Sequence, residues 1–162
     1  MIRLKLIQGA NMEYLGLREP EIYGSTTAAE LDRMLMKEAN ARKIALDISY
    51  TNIEGEAINQ IFAADRAGID GLLMNPAGFS HAGFALRDCL KAVSLPYVEI
   101  HMSNTERRGI HSATAPAADG LVAGLGIDSY FVAMEAMLRL VARKKAAAPA
   151  ARPAARSRAR RG

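Results

Sequence analysis

The chain has one cysteine and no tryptophan among its 162 residues. A single thiol excludes a disulfide framework and a cysteine-based zinc cluster. Cys89 falls in Phe84-Ala85-Leu86-Arg87-Asp88-Cys89-Leu90, a helical pattern in which it reads as a packing residue rather than a nucleophile. Long apolar runs are lacking too: none reaches the roughly 20 residues that a membrane span needs. Met1 to Gly9 is too short for a secretory leader and is interrupted by Arg3 and Lys5, so a cytoplasmic location is expected. Acid is absent from one stretch, where Arg143, Lys144, Lys145, Arg152, Arg156, Arg158, Arg160 and Arg161 follow one another without an Asp or Glu. The remaining body has 13 Lys and Arg against 17 acids, so the overall net charge of +4 describes a tail on a body of net −4. Phosphate binding needs cations clustered on the folded domain itself, which argues against a specific nucleic-acid role for the body.

What the sequence does have is alternation. Short strand-like apolar runs at Leu4–Ile7, Ile44–Ile48, Ile69–Met74, Tyr97–Ile100 and Leu121–Ala123 are separated by longer helical patterns. Helices are expected from Ser25-Thr26-Thr27 to about Ala41, with Glu30 closing a capping box. Others are expected over Glu54–Ala67, Ser80–Val93 and Asp128–Arg143. Leu31, Met34 and Leu35, then Ile58, Ile61 and Phe62, then Phe131, Met134, Leu138 and Val141 supply the apolar stripes. Strand and helix in this order predict an α/β fold, a doubly wound sheet of five parallel strands of flavodoxin-like size. The catalytic body is expected at residues 1–143. Residues 144–162 hold no apolar side chain larger than Ala or Pro and are expected to be a disordered tail, either a solubilising extension or a weak anchor to a polyanion.

In an open parallel sheet the ligand site lies beyond the carboxyl ends of the strands, and the polar residues collect there. Asn11, Arg18 and Tyr23 follow the first strand, Asn75, Ser80 and His81 the third, and Glu99, His101, Ser103 and Asn104 the fourth. The Arg18–Gly24 segment belongs to a connection longer than the usual few residues, as binding loops and lids commonly are. A phenol is a poor base at its ordinary pKa near 10, and a neighbouring guanidinium favours the phenolate. Arg18 and Tyr23 thus form a proton-abstracting pair, or else Tyr23 packs its ring under the loop with Arg18 in solvent. Glu99 and His101 are two apart on a strand and share a face. They form a general acid with its orienting carboxylate, or a structural hydrogen bond. Ser80 reads as a helix cap, and His81 either faces the cleft or lies on the surface. No phosphate loop, complete dinucleotide fingerprint or metal-ligand spacing of His81, His101 and His111 competes, so the expectation is a cofactor-free, metal-free acid/base enzyme.

Four blocks carry a family likeness. They are Gly9-Ala10-Asn11 with Leu15-Gly16-Leu17-Arg18-Glu19-Pro20-Glu21-Ile22-Tyr23-Gly24; Asn75-Pro76-Ala77-Gly78-Phe79-Ser80-His81 with Ala85-Leu86-Arg87-Asp88; Pro96-Tyr97-Val98-Glu99-Ile100-His101-Met102-Ser103-Asn104; and Gly120–Gly126 followed by Tyr130. Together they closely resemble type II 3-dehydroquinate dehydratase. The resemblance implies dehydration of 3-dehydroquinate to 3-dehydroshikimate in the shikimate pathway of aromatic amino acid biosynthesis or in quinate catabolism, with no cofactor. It also implies a dodecamer of four trimers and a small cyclic carboxylate as substrate. Carried over, Tyr23 takes a proton from the carbon beside the ketone, aided by Arg18, and Asn11 helps stabilise the enolate. His101, oriented by Glu99, protonates the departing hydroxyl. Asn75 and His81 hold ring hydroxyls, the backbone amides of Met102 and Ser103 take the carboxylate, and Asp88 reaches a neighbouring subunit's site.

The chain also departs from the family pattern. Ile7-Gln8-Gly9-Ala10-Asn11 stands where the family has Leu-Asn-Gly-Pro-Asn. The segment after Asn104 is a few residues short, and aligned on His111-Ser112 the family's hydroxyl-gripping Arg falls on Gly109, leaving Arg107 or Arg108 to reach in. Ala82-Gly83 replaces Thr-Ser. Two other readings follow: a paralogue applying the same chemistry to another cyclic carbonyl compound, and a non-catalytic oligomeric binding protein of the same fold.

Overall fold

The computed structural model describes residues 1–147. Five parallel strands, β1 (Ile2–Ala10), β2 (Ile44–Tyr50), β3 (Gly71–Ala77), β4 (Tyr97–His101) and β5 (Gly120–Ala123), pair in the order β2-β1-β3-β4-β5. Connecting them are α1 (Pro20–Tyr23), α2 (Ala28–Ala41), α3 (Glu54–Arg66), α4 (Phe84–Ala92) and α5 (Asp128–Ala147). A parallel sheet is covered on both faces, so its central strands are apolar on both sides. Side chains alternate accordingly. Leu4 and Leu6 of β1, Leu73 of β3 and Val98 and Ile100 of β4 pack with Leu31 and Leu35 of α2 and Met134 and Met137 of α5. Ile7, Leu72, Met74 and Tyr97 point the other way, onto Ile61 of α3 and Leu86 and Cys89 of α4. Cys89 is thus a buried packing residue, as its sequence context indicates.

Helix α2 starts where the sequence places it. The Thr27 hydroxyl accepts from the Glu30 amide at 3.3 Å while Glu30 Oε2 accepts from the Thr27 amide at 2.8 Å, a reciprocal cap contributing on the order of 1 kcal/mol. Strands β1 and β3 end at Ala10 and Ala77, three residues beyond the expected Ile7 and Met74, and β3 starts at Gly71 rather than Ile69. Two helix boundaries also differ from expectation. Residues 78–81 form a separate 3₁₀ turn and α4 begins only at Phe84, with Gly83 as its N-cap. Ser80 caps no helix; its hydroxyl donates to the Ala77 carbonyl at 2.7 Å. At the other end α5 runs to Ala147, past the boundary expected at 143, with Lys144 3.3 Å from Asp119 and Lys145 2.7 Å from Asp70. The rest of the expected disordered tail lies outside the described residues. Among those residues, no helix is long and apolar enough to cross a membrane.

Strand order reverses between β1 and β3, where connections depart to opposite faces and leave a crevice at the carboxyl ends. The two strand ends approach so closely there that a Cβ on Gly9 would run into the Pro76 carbonyl. Beside them Asn11 (φ 75°) and Ala77 (φ 45°) hold left-handed backbone, which Asn tolerates and Ala does not readily adopt. Ala77 is held by side chains on both sides, its amide donating to Asn75 Oδ1 at 3.1 Å and its carbonyl accepting from Ser80.

Candidate active site

The ends of β1, β3 and β4 and the segments that follow them enclose one cavity of about 170 Å³. At ~10–15 Å³ per water, that is room for on the order of ten waters, the scale of a small ring compound. Asn11, Arg18, Tyr23, Asn75, His81, His101, Met102, Ser103 and Arg108 all line it.

Behind His101, Glu99 is completely buried on β4. Its Oε1 lies 2.7 Å from His101 Nε2, and its Oε2 accepts from the Tyr97 hydroxyl at 2.6 Å and the Thr114 hydroxyl at 2.7 Å. Burial pushes this carboxyl up, but the hydrogen bonds from His101, Ser112, Tyr97 and Thr114 together outweigh it and hold Glu99 below the usual carboxylate range. Burial, followed by the Glu99 charge, holds the fully buried Tyr97 hydroxyl far above its ordinary range, so it serves only as a donor. An ionised Glu99 accepts and cannot donate, so the hydrogen between it and His101 sits on Nε2. Nδ1 is left as the ring nitrogen that can exchange a proton with a ligand. The Glu99–His101 pair expected from the strand spacing is therefore present.

The pair expected at Tyr23 is not. Arg18 Nε turns to Glu19 Oε2 at 3.0 Å, and a different arginine serves the phenol. Arg108 Nη1 donates to the Tyr23 oxygen at 3.0 Å and to Ser103 Oγ at 2.9 Å, with its guanidinium 5.6 Å from the Tyr23 ring centre. Arg108 follows β4 in the 3₁₀ turn Glu106–Arg108, whereas Arg18 shares a connection with Tyr23 and is drawn to the carboxylate next to it. Of the two arginines left open by the sequence, Arg108 lines the cavity and Arg107 does not. Residues 2–138 match the model of a family described as dehydroquinase class II.

This chain belongs to the class II dehydroquinase family. A 3-dehydroquinate dehydratase of Xanthomonas oryzae pv. oryzae is 45% identical over 141 residues, which cover 85% of this chain and 95% of that protein. A crystal structure of a type II dehydroquinase from Butyrivibrio crossotus superposes with a TM-score of 0.81 at 32% identity, covering 85% of this chain and 97% of that one. One from Propionibacterium acnes gives 0.80 at 29% identity, with 88% and 97% covered.

On this dehydroquinase scaffold the remaining expected residues divide. His81 is exposed yet faces the cavity. Asp88 lies on the exposed side of α4, beside Arg87 at 4.0 Å and away from the cavity of its own chain. Gly109 adopts a left-handed turn (φ 65°) and contributes no side chain. Among the described residues, no three of His, Cys, Asp and Glu gather as a metal site. Thr114 and Gln8 were missed. Gln8, fully buried in β1, was visible as a lone amide in an apolar strand. Thr114, also fully buried, gave no signal, because only the folded loop brings it to Glu99.

Proposed function

We propose that the chain dehydrates 3-dehydroquinate to 3-dehydroshikimate, with Tyr23 as base and His101 as acid. Tyr23 removes the proton from the carbon beside the ketone, and the electron pair of that C–H bond becomes an enolate. The enolate then re-forms the ketone as the C–O bond to the β-hydroxyl breaks, and His101 supplies the proton with which that hydroxyl leaves as water. Arg108 stabilises the charge that Tyr23 carries before transfer, Asn11 the enolate. Asn75, His81 and the amides of Met102 and Ser103 orient the ring and its carboxylate, with Arg18 at the rim.

The observation that carries this reading is the pairing of two unlike proton-transfer groups in one cavity: a tyrosine with a guanidinium on its oxygen, and a histidine backed by a buried carboxylate. The exposed Asp88, outside its own chain's cavity, suits a role at a neighbour's site in a dodecamer of four trimers. A cytoplasmic location and the shikimate or quinate pathway accompany the reaction. One observation favours a second reading, a paralogue acting on another cyclic carbonyl compound: Gly109 leaves the ring-gripping side without the family's second arginine. Purified protein mixed with 3-dehydroquinate, followed by the absorbance of the enone product, separates the two. Turnover is expected, and its absence at high enzyme concentration overturns the first reading.

A further inference from the structure

Gln8 sits between Tyr50 of β2 and Asn75 of β3, its partners in the parallel register. It is fully buried, and its Nε2 has no hydrogen-bond partner among the described residues. A buried amide left half satisfied is costly, so its other end must supply something an apolar residue would not. Gln8 Oε1 accepts from the Tyr130 hydroxyl of α5 at 2.8 Å, and the same hydroxyl accepts from Asn75 Nδ2 at 2.9 Å.

The direction of this chain is fixed at its Asn75 end. The Ala77 amide can only donate, and it donates to Asn75 Oδ1 at 3.1 Å, so the face of Asn75 toward Tyr130 is the NH₂. Tyr130 must therefore accept from Asn75 and spend its one proton elsewhere, which Gln8 Oε1 allows. Burial holds the Tyr130 hydroxyl well above its ordinary range, so that proton stays. One N–H of Asn75 is committed to Tyr130, and the second remains for the cavity that Asn75 lines.

We propose that Tyr130, oriented by Gln8, is a positioning residue that presents Asn75 to the ligand as a hydrogen-bond donor, so that the site selects a ring oxygen acceptor at that point. With the Gln8 acceptor absent, the Tyr130 proton would compete for the Asn75 amide and loosen it. The inference rests on the proposed function in taking Asn75 as a substrate contact.

The test is a double-mutant cycle of Tyr130→Phe with Asn75→Ala on 3-dehydroquinate, reading KM and kcat separately, with a crystal structure of Tyr130→Phe alongside. Loss of one oriented hydrogen bond is expected to raise KM about tenfold with kcat within about threefold. In the Asn75→Ala background Tyr130→Phe should add nothing. Gln8→Met should move KM the same way by less, and serves as the second variant if thermal unfolding shows Tyr130→Phe to be unfolded. An unchanged KM, or a Tyr130→Phe effect undiminished by Asn75→Ala, overturns the inference. If the wild-type protein does not turn over 3-dehydroquinate, the proposed function fails, and the crystal structure decides this inference by itself. A turned or doubly placed Asn75 side chain in Tyr130→Phe supports it, and an unmoved one overturns it.

Discussion

Arg108 and Tyr23, 85 residues apart, are joined by a 3.0 Å hydrogen bond from guanidinium to phenol oxygen. Arg18, five residues from Tyr23, is paired with Glu19 instead. A charge-assisted hydrogen bond of this kind contributes most when the acceptor becomes an anion. Arg108→Ala is therefore expected to lower kcat by about 10²–10³. Arg108→Lys keeps the charge without the fork that spans Tyr23 and Ser103, and should recover only part of the loss. Arg18→Ala should cost less than Arg108→Ala in the same steady-state assay; the reverse order would assign the cation at the phenol to Arg18.

Tyr23→Phe and His101→Ala are each expected to remove at least about 10³ of the rate, the scale of one positioned acid or base. Both side chains line the cavity, and the elution volume in size-exclusion chromatography should match that of the unmutated protein. A near-normal rate in either variant rules out the role given to it.

Glu99 accepts from His101, Tyr97 and Thr114 without solvent exposure. Glu99→Gln replaces one acceptor oxygen by an NH₂ that faces donors, and is expected to cost about 3 kcal/mol in denaturant unfolding at pH 7. The folded carboxyl is held below its unfolded range. Its contribution is therefore fully present above an unfolded carboxylate pKa of about 4.3 and is lost as pH falls through the lower folded value. The gap in stability between wild type and Glu99→Gln should narrow below about pH 4; a gap that stays constant there would contradict the ionised state assigned to Glu99.

Two glycines separate backbone from side-chain crowding. A Cβ at Gly9 meets the Pro76 carbonyl, which cannot move without shifting β3, whereas at Gly71 it meets the end of the flexible Met137 side chain. Gly9→Ala is expected to lose about 3 kcal/mol and Gly71→Ala about 1 kcal/mol in chemical denaturation. Equal losses would show that the β1–β3 approach is softer than the structure implies.

The sheet was legible because its determinants are local. Leu4–Ile7 and Ile69–Met74 read as strands through their own apolar runs, the second shifted by two residues at its start, and Thr27 with Glu30 marked the start of α2 through three-residue spacing. Glu99 with His101 was legible for the same reason, as a period of two on one strand. The late start of α4 was not, because the 3₁₀ turn at residues 78–81 is set by the strained Ala77 and its side-chain holds. Nor was the choice of Arg108 over Arg18. It depends on how the segment after β4 folds back across the loop after β1, and on Glu19 capturing its neighbour.

The carboxylate beneath His101 is tied to the loop after β4 as well as to the imidazole. Its Oε2 accepts from the buried Tyr97 and Thr114 hydroxyls, and Thr114 lies in turn 3.1 Å from the half-buried Ser112 hydroxyl, so a row of hydroxyls runs from the carboxylate toward the surface. The acid that hands a proton from Nδ1 into the cavity thus has its back held by residues of that loop. How the loop settles therefore decides how firmly the imidazole stands when the leaving hydroxyl reaches it.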